Sequence, residues 1–445
     1  SSSLTIMTLL ERPGFRHGLL TVALFTILAG DAWRYSITWF GFAGVVVVVS
    51  VFSAMLLVRE RARWRLSTLP YPLLGFAALT TVSILWSAYP SSSAVGIVAT
   101  LLTLLSAVAF AIAYSWAEII RALGLALRVI LGISIAFELF VSLVIRRPVL
   151  PLWSPYEDDG TLAKSLYWSR NVLFDDGKIQ GIVGNSALLG FVALLAVIVF
   201  AVQLVSGSTK RWRTVAWLVL AVGTVYLTRS ATITLALVAV VAVAAAVLLI
   251  RSARTPRIRT GYYALIVAVV VGLVVAALTL RETLLSAMGK SSDLTGRSDI
   301  WDSVIGLATQ RPVFGWGWVS YWTPWGAPLN TLAYEGGVQQ YQAHNAWLDV
   351  WLQIGIVGLV VFGALVVSTA VRAWSFATDR AITRPGTTGS FSVESMLPML
   401  VLTALLVQSL AESRLIIEYG VLLLVIIAVK TKRNDPISRP DADTR

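Results

Sequence analysis

Uncharged apolar runs of about twenty residues follow one another from end to end of the chain, separated by short polar breaks. A helix rises about 1.5 Å per residue, so each such run is long enough to cross a hydrocarbon core of ~30 Å. Marking the runs by their charged flanks predicts twelve helical spans, at approximately 18–30, 36–58, 66–88, 94–116, 119–145, 181–205, 214–228, 231–250, 261–280, 346–371, 396–411 and 415–430. The last two carry the weakest signal, being short and interrupted by Glu412, Arg414 and Glu418. Two polar stretches stand out by length, 146–180 and 281–345, both rich in Trp, Tyr, Pro, Gly and acidic residues. Loops of that length more often carry function than simply connect. In the second, Trp301, Val304, Ile305 and Ala308 recur at i, i+3, i+4 and i+7, which predicts an amphipathic helix over 299–309, lying on the membrane or on the bundle and ended by Arg311 and Pro312. The expected fold is all-α: a polytopic membrane protein of about 12 transmembrane helices, one integral membrane domain over 1–445, with a partly helical extracytoplasmic loop.

Composition narrows this further. Of 445 residues, 57% are hydrophobic and 13% charged, where a soluble domain carries about 25% charge, so an ordinary soluble enzyme is excluded. The chain has no cysteine and two histidines, which excludes disulfides, thiolate metal sites and histidine clusters. A net charge of +12 invites comparison with nucleic-acid binders, but the basic residues sit in short runs between apolar segments, as topology signals do. With both termini in the cytoplasm, 22 Lys and Arg fall on the inner side and 12 outside, with Arg128 within a span. Every strong basic cluster then obeys the positive-inside rule, and the two long loops face outward from a cytoplasmic (inner) membrane. Glu11, Arg12 and Arg16 precede the first apolar run without a small-residue cleavage site after it, so a retained first helix is expected.

Few residues in the outer loops suit chemistry. His344 stands where the second loop enters a span, and an imidazole there suits the removal of a proton from an acceptor hydroxyl; a histidine bonded to a loop carbonyl is the structural alternative. Only fifteen uncharged residues separate Arg213 from Arg229, about 22 Å of helix. Arg229 is therefore expected below the outer surface, where a cation implies an anionic ligand, unless it snorkels from a hairpin tip. Arg297 precedes the expected amphipathic helix, and a guanidinium beside helix N-terminal amides makes a phosphate-binding corner. Trp301, Trp316, Trp318, Trp322, Trp325, Trp347 and Trp351 suit sugar stacking or an interfacial aromatic belt. The adjacent pairs Asp158 with Asp159 and Asp175 with Asp176 do not supply the converging oxygens that a hard cation needs, so no metal site and no cofactor are expected. Asp349 points away from His344 by helical period and reads as an interfacial or packing carboxylate, while Glu138 and Arg128 either pair within a span or line a cavity.

Three stretches carry a family resemblance: LTRSA at 227–231, TGRSDIWDSVIGLATQRPVFGWG at 295–317, and HNAWLDVWLQIGIVG at 344–358, with His344, Asn345, Gly355 and Gly358 in the order His, Asn, nine residues, Gly, two residues, Gly. Together they resemble the bacterial O-antigen ligase family over roughly residues 180–370. The resemblance implies a metal-independent, inverting membrane glycosyltransferase. Its donor would be a glycan on undecaprenyl diphosphate and its acceptor a glycan or glycolipid, at the outer face of the cytoplasmic membrane. It implies His344 as the base and Arg229 and Arg297 as cations for the diphosphate, with Asn345, Trp316, Trp318 and Arg170 as candidate glycan or acceptor contacts. Arg170 and Gly181 have ten residues between them, resembling the Arg-x10-Gly pattern of O-antigen polymerases, while the residue eleven after Arg297 is Ala308, so a second copy is missing. The ligase type is expected, with polymerisation of lipid-linked repeats as the alternative. A lipid-linked oligosaccharide flippase is a further alternative, although the two halves of the chain show no internal repeat of the kind transporters carry.

Overall fold

A computed structural model of the chain describes residues 10–157, 160, 162–175, 177–279, 292–335, 338–380, 382–384, 387–388 and 391–433. Its α-helices among the described residues are α1 (Pro13–Leu28), α2 (Gly30–Arg59), α3 (Tyr71–Val82), α4 (Pro90–Ala113), α5 (Trp116–Phe140), α6 (Ser186–Ser206), α7 (Arg211–Leu227), α8 (Ala231–Ser252), α9 (Pro256–Thr279), α10 (Ser292–Ala308), α11 (Ala346–Thr378), α12 (Leu397–Ser409) and α13 (Glu418–Arg433). Each of the twelve predicted spans corresponds to one of these helices, and α10 is the helix of the second long loop. Seven of them, α2, α4, α5, α6, α8, α9 and α11, include stretches long and apolar enough to cross a membrane by length and composition. Strands among the described residues are confined to two short antiparallel ladders, Tyr334–Glu335 with Val338–Gln339 and Ile382–Arg384 with Thr387–Thr388. The chain is an all-α polytopic membrane protein.

Helix starts follow local chemistry. Asn185 and Asn345 cap α6 and α11 by accepting hydrogen bonds from the next turn's amides, and Ser115 with Glu118 forms a capping box at α5. Proline opens α1 and α4, where a missing N–H costs nothing. The two spans with the weakest sequence signal prove to be interior helices. In α13 every residue from Tyr419 to Thr431 is buried, the helix packing against α4 and α11, and α12 packs against α8, α6 and α11. A helix enclosed by others need not match the bilayer thickness, which accounts for their shortness. By contrast α9 packs on α8 and leaves most of its surface open, as a lipid-facing helix does.

The two ends of the bundle differ in chemistry. At one end basic side chains neutralise helix C-terminal carbonyls: Arg16 Nη2 donates to Ala113 O at 2.5 Å, Arg251 Nε to Ala377 O at 2.7 Å, and the buried Lys430 Nζ to Ala111 O at 3.2 Å. The other end carries both long loops. Glu138, buried near the end of α5, accepts hydrogen bonds from Ser169 Oγ at 2.8 Å, Gln180 N at 3.0 Å and Gly181 N at 2.7 Å, and so fastens the first loop. It does not pair with Arg128, whose Nη2 donates to Gln203 Oε1 at 2.6 Å. Ten residues apart, the two sit about 15 Å apart along one helix.

Candidate functional site

The second loop is built onto a break in α11. Ile354 and Gly355 leave helical geometry there, with Gly355 at φ 69°, and the freed amides of Ile356 and Val357 donate to Pro312 O at 2.9 Å and Val313 O at 3.2 Å. Amides of the loop return the pairing, with Trp316 N donating to Leu352 O at 2.9 Å and Gly317 N to Gln353 O at 2.8 Å. Gln353 Oε1 accepts from Val319 N and Ser320 N at 2.8 and 3.0 Å, while the buried Asp349 accepts from Trp322 Nε1 at 2.9 Å and Ala343 N at 3.1 Å. One helix face thus holds the loop from Pro312 to Trp322 and again at Ala343, and Asp349, expected as an interfacial or packing carboxylate, packs beneath it.

On this platform His344 and Arg297 meet at a third residue. The Glu412 carboxylate, in the turn between α12 and α13, accepts from Arg297 Nη2 at 3.0 Å through Oε1, and through Oε2 from His344 Nδ1 at 3.2 Å and Gln342 Nε2 at 3.1 Å. All of it is enclosed, the Glu412 side chain being 5% exposed and the His344 side chain 10%. Burial alone would raise the carboxyl, but His344, Arg297 and Arg414 outweigh it and bring it from the ordinary 4.5 down to about 2. Glu412 is therefore ionised and can only accept, which places a proton on His344 Nδ1. The opposite nitrogen, Nε2, faces Gln340 Oε1 at 3.2 Å; with that amide turned so that its NH2 donates instead, the ring is neutral and its Nε2 carries the lone pair. His344 itself has φ 49°, a conformation that non-glycine residues rarely take and that the surroundings must enforce.

Beside this group lies a second set of buried charges. Arg34 donates to Asp31 at 2.7 Å and to Glu418, which also accepts from Arg414, and the Arg34 guanidinium lies 4.4 Å from the Trp39 ring and 4.2 Å from Phe42. Burial, opposed by Arg414, leaves the neighbouring Tyr321 hydroxyl raised to about 12.

The remaining sequence candidates fall in varied places. Arg229 follows the end of α7 with φ 49°, half-buried, its guanidinium 4.4 Å from the Tyr226 ring. The following helix, α8, packs along α12, which leads into Glu412. Arg297 does not precede its helix: α10 begins at Ser292, so Arg297 lies inside it, past the first turn of amides, and the helix-terminus corner expected there is corrected to a side-chain pairing with Glu412. The buried face of α10 is Ile300, Val304, Leu307 and Ala308, turned from the predicted one, with Ile305 exposed, and it rests on α11. Asn345 spends its side chain on the N-cap, accepting from Trp347 N at 3.0 Å and Leu348 N at 3.2 Å. Trp318 is fully buried against Phe76, with its Nε1 donating to Thr100 Oγ1 at 2.9 Å; Trp316 is half-buried and donates to Leu307 O at 2.9 Å. Arg170 Nε donates to Lys164 O at 3.0 Å in the first loop. Asp158, Asp159 and Asp176 lie outside the described residues. Among the described residues no three His, Asp or Glu side chains are grouped as metal ligands.

Glu412, Gln342 and Gln340 were not singled out by sequence. The available signal was the run of Glu412, Arg414 and Glu418 inside an apolar stretch, since ionisable groups at membrane depth are costly and usually functional.

Comparison with known proteins bears on this geometry. Residues 216–363 match the family model described as O-antigen ligase. A stretch of 90 residues is 29% identical to the exopolysaccharide production protein ExoQ of Rhizobium meliloti (strain 1021), covering 20% of this chain and 21% of that protein, so the chain spans about a fifth of the curated relative's length. Arg229, Arg297, His344, Gly355 and Gly358 lie within the family match and Glu412 lies beyond it. Both findings bear out the recognition made on the motifs and support the O-antigen ligase/polymerase family for this multi-pass membrane protein.

Proposed function

We propose that the protein is a glycosyltransferase moving a glycan from a polyprenyl diphosphate to an acceptor hydroxyl at the extracytoplasmic face of the cytoplasmic membrane, as a ligase. The observation that carries this reading is the meeting of Arg297 and His344 on one buried carboxylate at the end of the bundle that bears both long loops. The acceptor hydroxyl replaces the Gln340 amide at His344 Nε2 and loses its proton there as its oxygen bonds to the anomeric carbon. The bond from that carbon to the diphosphate oxygen breaks, its electron pair leaving with the diphosphate, whose charge Arg297 and Arg229 stabilise. A single displacement inverts the anomeric centre, and no metal is required. The second reading, polymerisation of lipid-linked repeats, is favoured by the Arg170 to Gly181 spacing and by the exopolysaccharide production named for the relative.

The test is glycan transfer by purified protein in nanodiscs, with lipid-linked oligosaccharide, candidate acceptors and excess chelator, comparing wild type with His344→Ala. Transfer by wild type and its loss in the variant, by about 10²-fold or more, is the expected result, and product length separates ligase from polymerase. Equal transfer by both removes His344 as the base. Lipid scrambling without transfer to any acceptor points to a transporter.

A further inference from the structure

Glu412 divides one charge among three partners, Arg297 on one oxygen and His344 with Gln342 on the other, all within a buried site. Charged groups also act on it from the flanking chain, Arg414 two residues on, and its own charge acts on Tyr419 of α13. A carboxylate shared in this way holds no partner fully, and a ligand richer in negative charge takes the cation that it can grip by two parallel hydrogen bonds. A guanidinium on a diphosphate makes such a fork.

We propose that Glu412 is a positioning residue that exchanges partners during the reaction: it yields Arg297 to the donor diphosphate and, thus released, holds the His344 ring by Nδ1–H with its Nε2 lone pair toward the acceptor hydroxyl. The proposal rests on the reading of His344 as base and Arg297 as diphosphate ligand. Donor arrival then prepares the base, because a carboxylate facing Nδ1–H fixes the tautomer and balances the imidazolium formed when Nε2 takes the proton. The order has a use: the imidazole reaches full strength as a base only with donor in place, so acceptor activation waits for a sugar to transfer.

The exchange predicts a split between rate and affinity. In Glu412→Gln the neutral amide offers one oxygen where the carboxylate offered two, so His344 loses its anchor while Arg297 is released early. The expected result with lipid-linked oligosaccharide as donor is a kcat lowered about 100-fold and a donor KM that stays level or falls. A general disturbance of the site would raise KM together with the loss of kcat. A spectroscopic readout accompanies it, since His17 and His344 are the two histidines of the chain. With ¹⁵N-histidine in a His17→Ala background, the neutral His344 ring carries its proton on Nδ1 when Glu412 is present and loses that preference in E412Q. If E412Q does not fold, Glu412→Asp, which keeps the charge but is one methylene too short to reach both partners, is expected to give the same split. A wild-type kcat in these variants, a donor KM that rises in step with the loss of kcat, or an unchanged tautomer overturns the proposal. Wild-type transfer by His344→Ala overturns the underlying reading instead, whatever E412Q does.

Discussion

Replacing Gly355 with alanine tests the idea that the break in α11 is what holds the second loop. A Cβ at Gly355 lies 2.1 Å from Val313 O and 2.5 Å from Phe314 N, both main-chain atoms that cannot rotate aside. The residue also sits at φ 69° and ψ −167°, a region essentially confined to glycine, where an L side chain costs about 1–3 kcal/mol. Forcing the loop backbone away adds about 1–3 kcal/mol as in other overpacked interiors and weakens the bonds from Ile356 N and Val357 N to Pro312 and Val313. The total is a destabilisation of about 2–6 kcal/mol. Gly363 supplies an internal control, because a Cβ there meets nothing within 4 Å on the same helix, so Gly363→Ala is expected to be neutral or to gain up to ~1 kcal/mol in helix propensity. Denaturant unfolding in detergent, followed by tryptophan fluorescence, reads both variants, since Trp316, Trp318 and Trp322 lie in the segment that would detach. Glycan transfer should fall with Gly355→Ala and not with Gly363→Ala. Equal stability of the two variants would refute the account of the break as a docking site.

Two further outcomes follow from buried carboxylates. Glu138→Ala strips the acceptor from Ser169 Oγ, Gln180 N and Gly181 N, and each buried donor left unmatched costs about 1–3 kcal/mol; hydrogen exchange or limited proteolysis should show the first loop released ahead of the bundle, and a loop still protected contradicts the assignment. Glu412 governs an acid limb: its folded value of about 2 lies below the ordinary 4.5, so the stability it contributes is complete above pH 4.5 and is lost as pH falls through about 2. The stability gap between wild type and E412Q, measured by denaturant titration across that window, should narrow toward acid, and a gap independent of pH contradicts it.

The bundle was legible because membrane spans are written in consecutive apolar residues, and spans such as 231–250 and 346–371 begin where their helices begin. Burial was not legible in the same way. Apolar content does not distinguish a lipid-facing helix such as α9 from an enclosed one such as α13, and it takes packing partners to make Lys430 a buried residue. The face of α10 was misplaced because Trp301 and Ile305 count as apolar by type, whereas the surface available on α11 accepts Ile300 and Val304. The tryptophans of the second loop carry a signal for both interfaces and cores; Trp318 and Trp322 fill the core beneath the loop, and Trp325 is exposed. Glu412 lies 68 residues beyond His344, and nothing local to either position indicates that a turn between two short helices returns to the entrance of α11.

The motif at 344–358 gains a physical reading from these contacts. Asn345 satisfies the first amides of α11, so the helix starts at Ala346 and leaves His344 just outside it. Held there at φ 49°, the imidazole reaches Glu412 instead of lying along the helix surface. Ten residues past Asn345, Gly355 opens the helix where the loop bearing Gly315 and Gly317 docks, and Gly358 leaves room for the Ile354 side chain that the break displaces, a Cβ there lying 2.2 Å from it. The cap thus fixes where the ring stands and the break fixes where the loop stands. Seven non-glycine residues with positive φ among those described, Thr38, Arg146, Asn171, Arg229, Ser320, His344 and Glu418, belong to the loop-bearing end. Strain of this kind persists only where neighbours over-determine the backbone. It is concentrated there, beside the charges of Arg297, Glu412, Arg34 and Arg414, and fits the site proposed at that end, since packing alone requires neither.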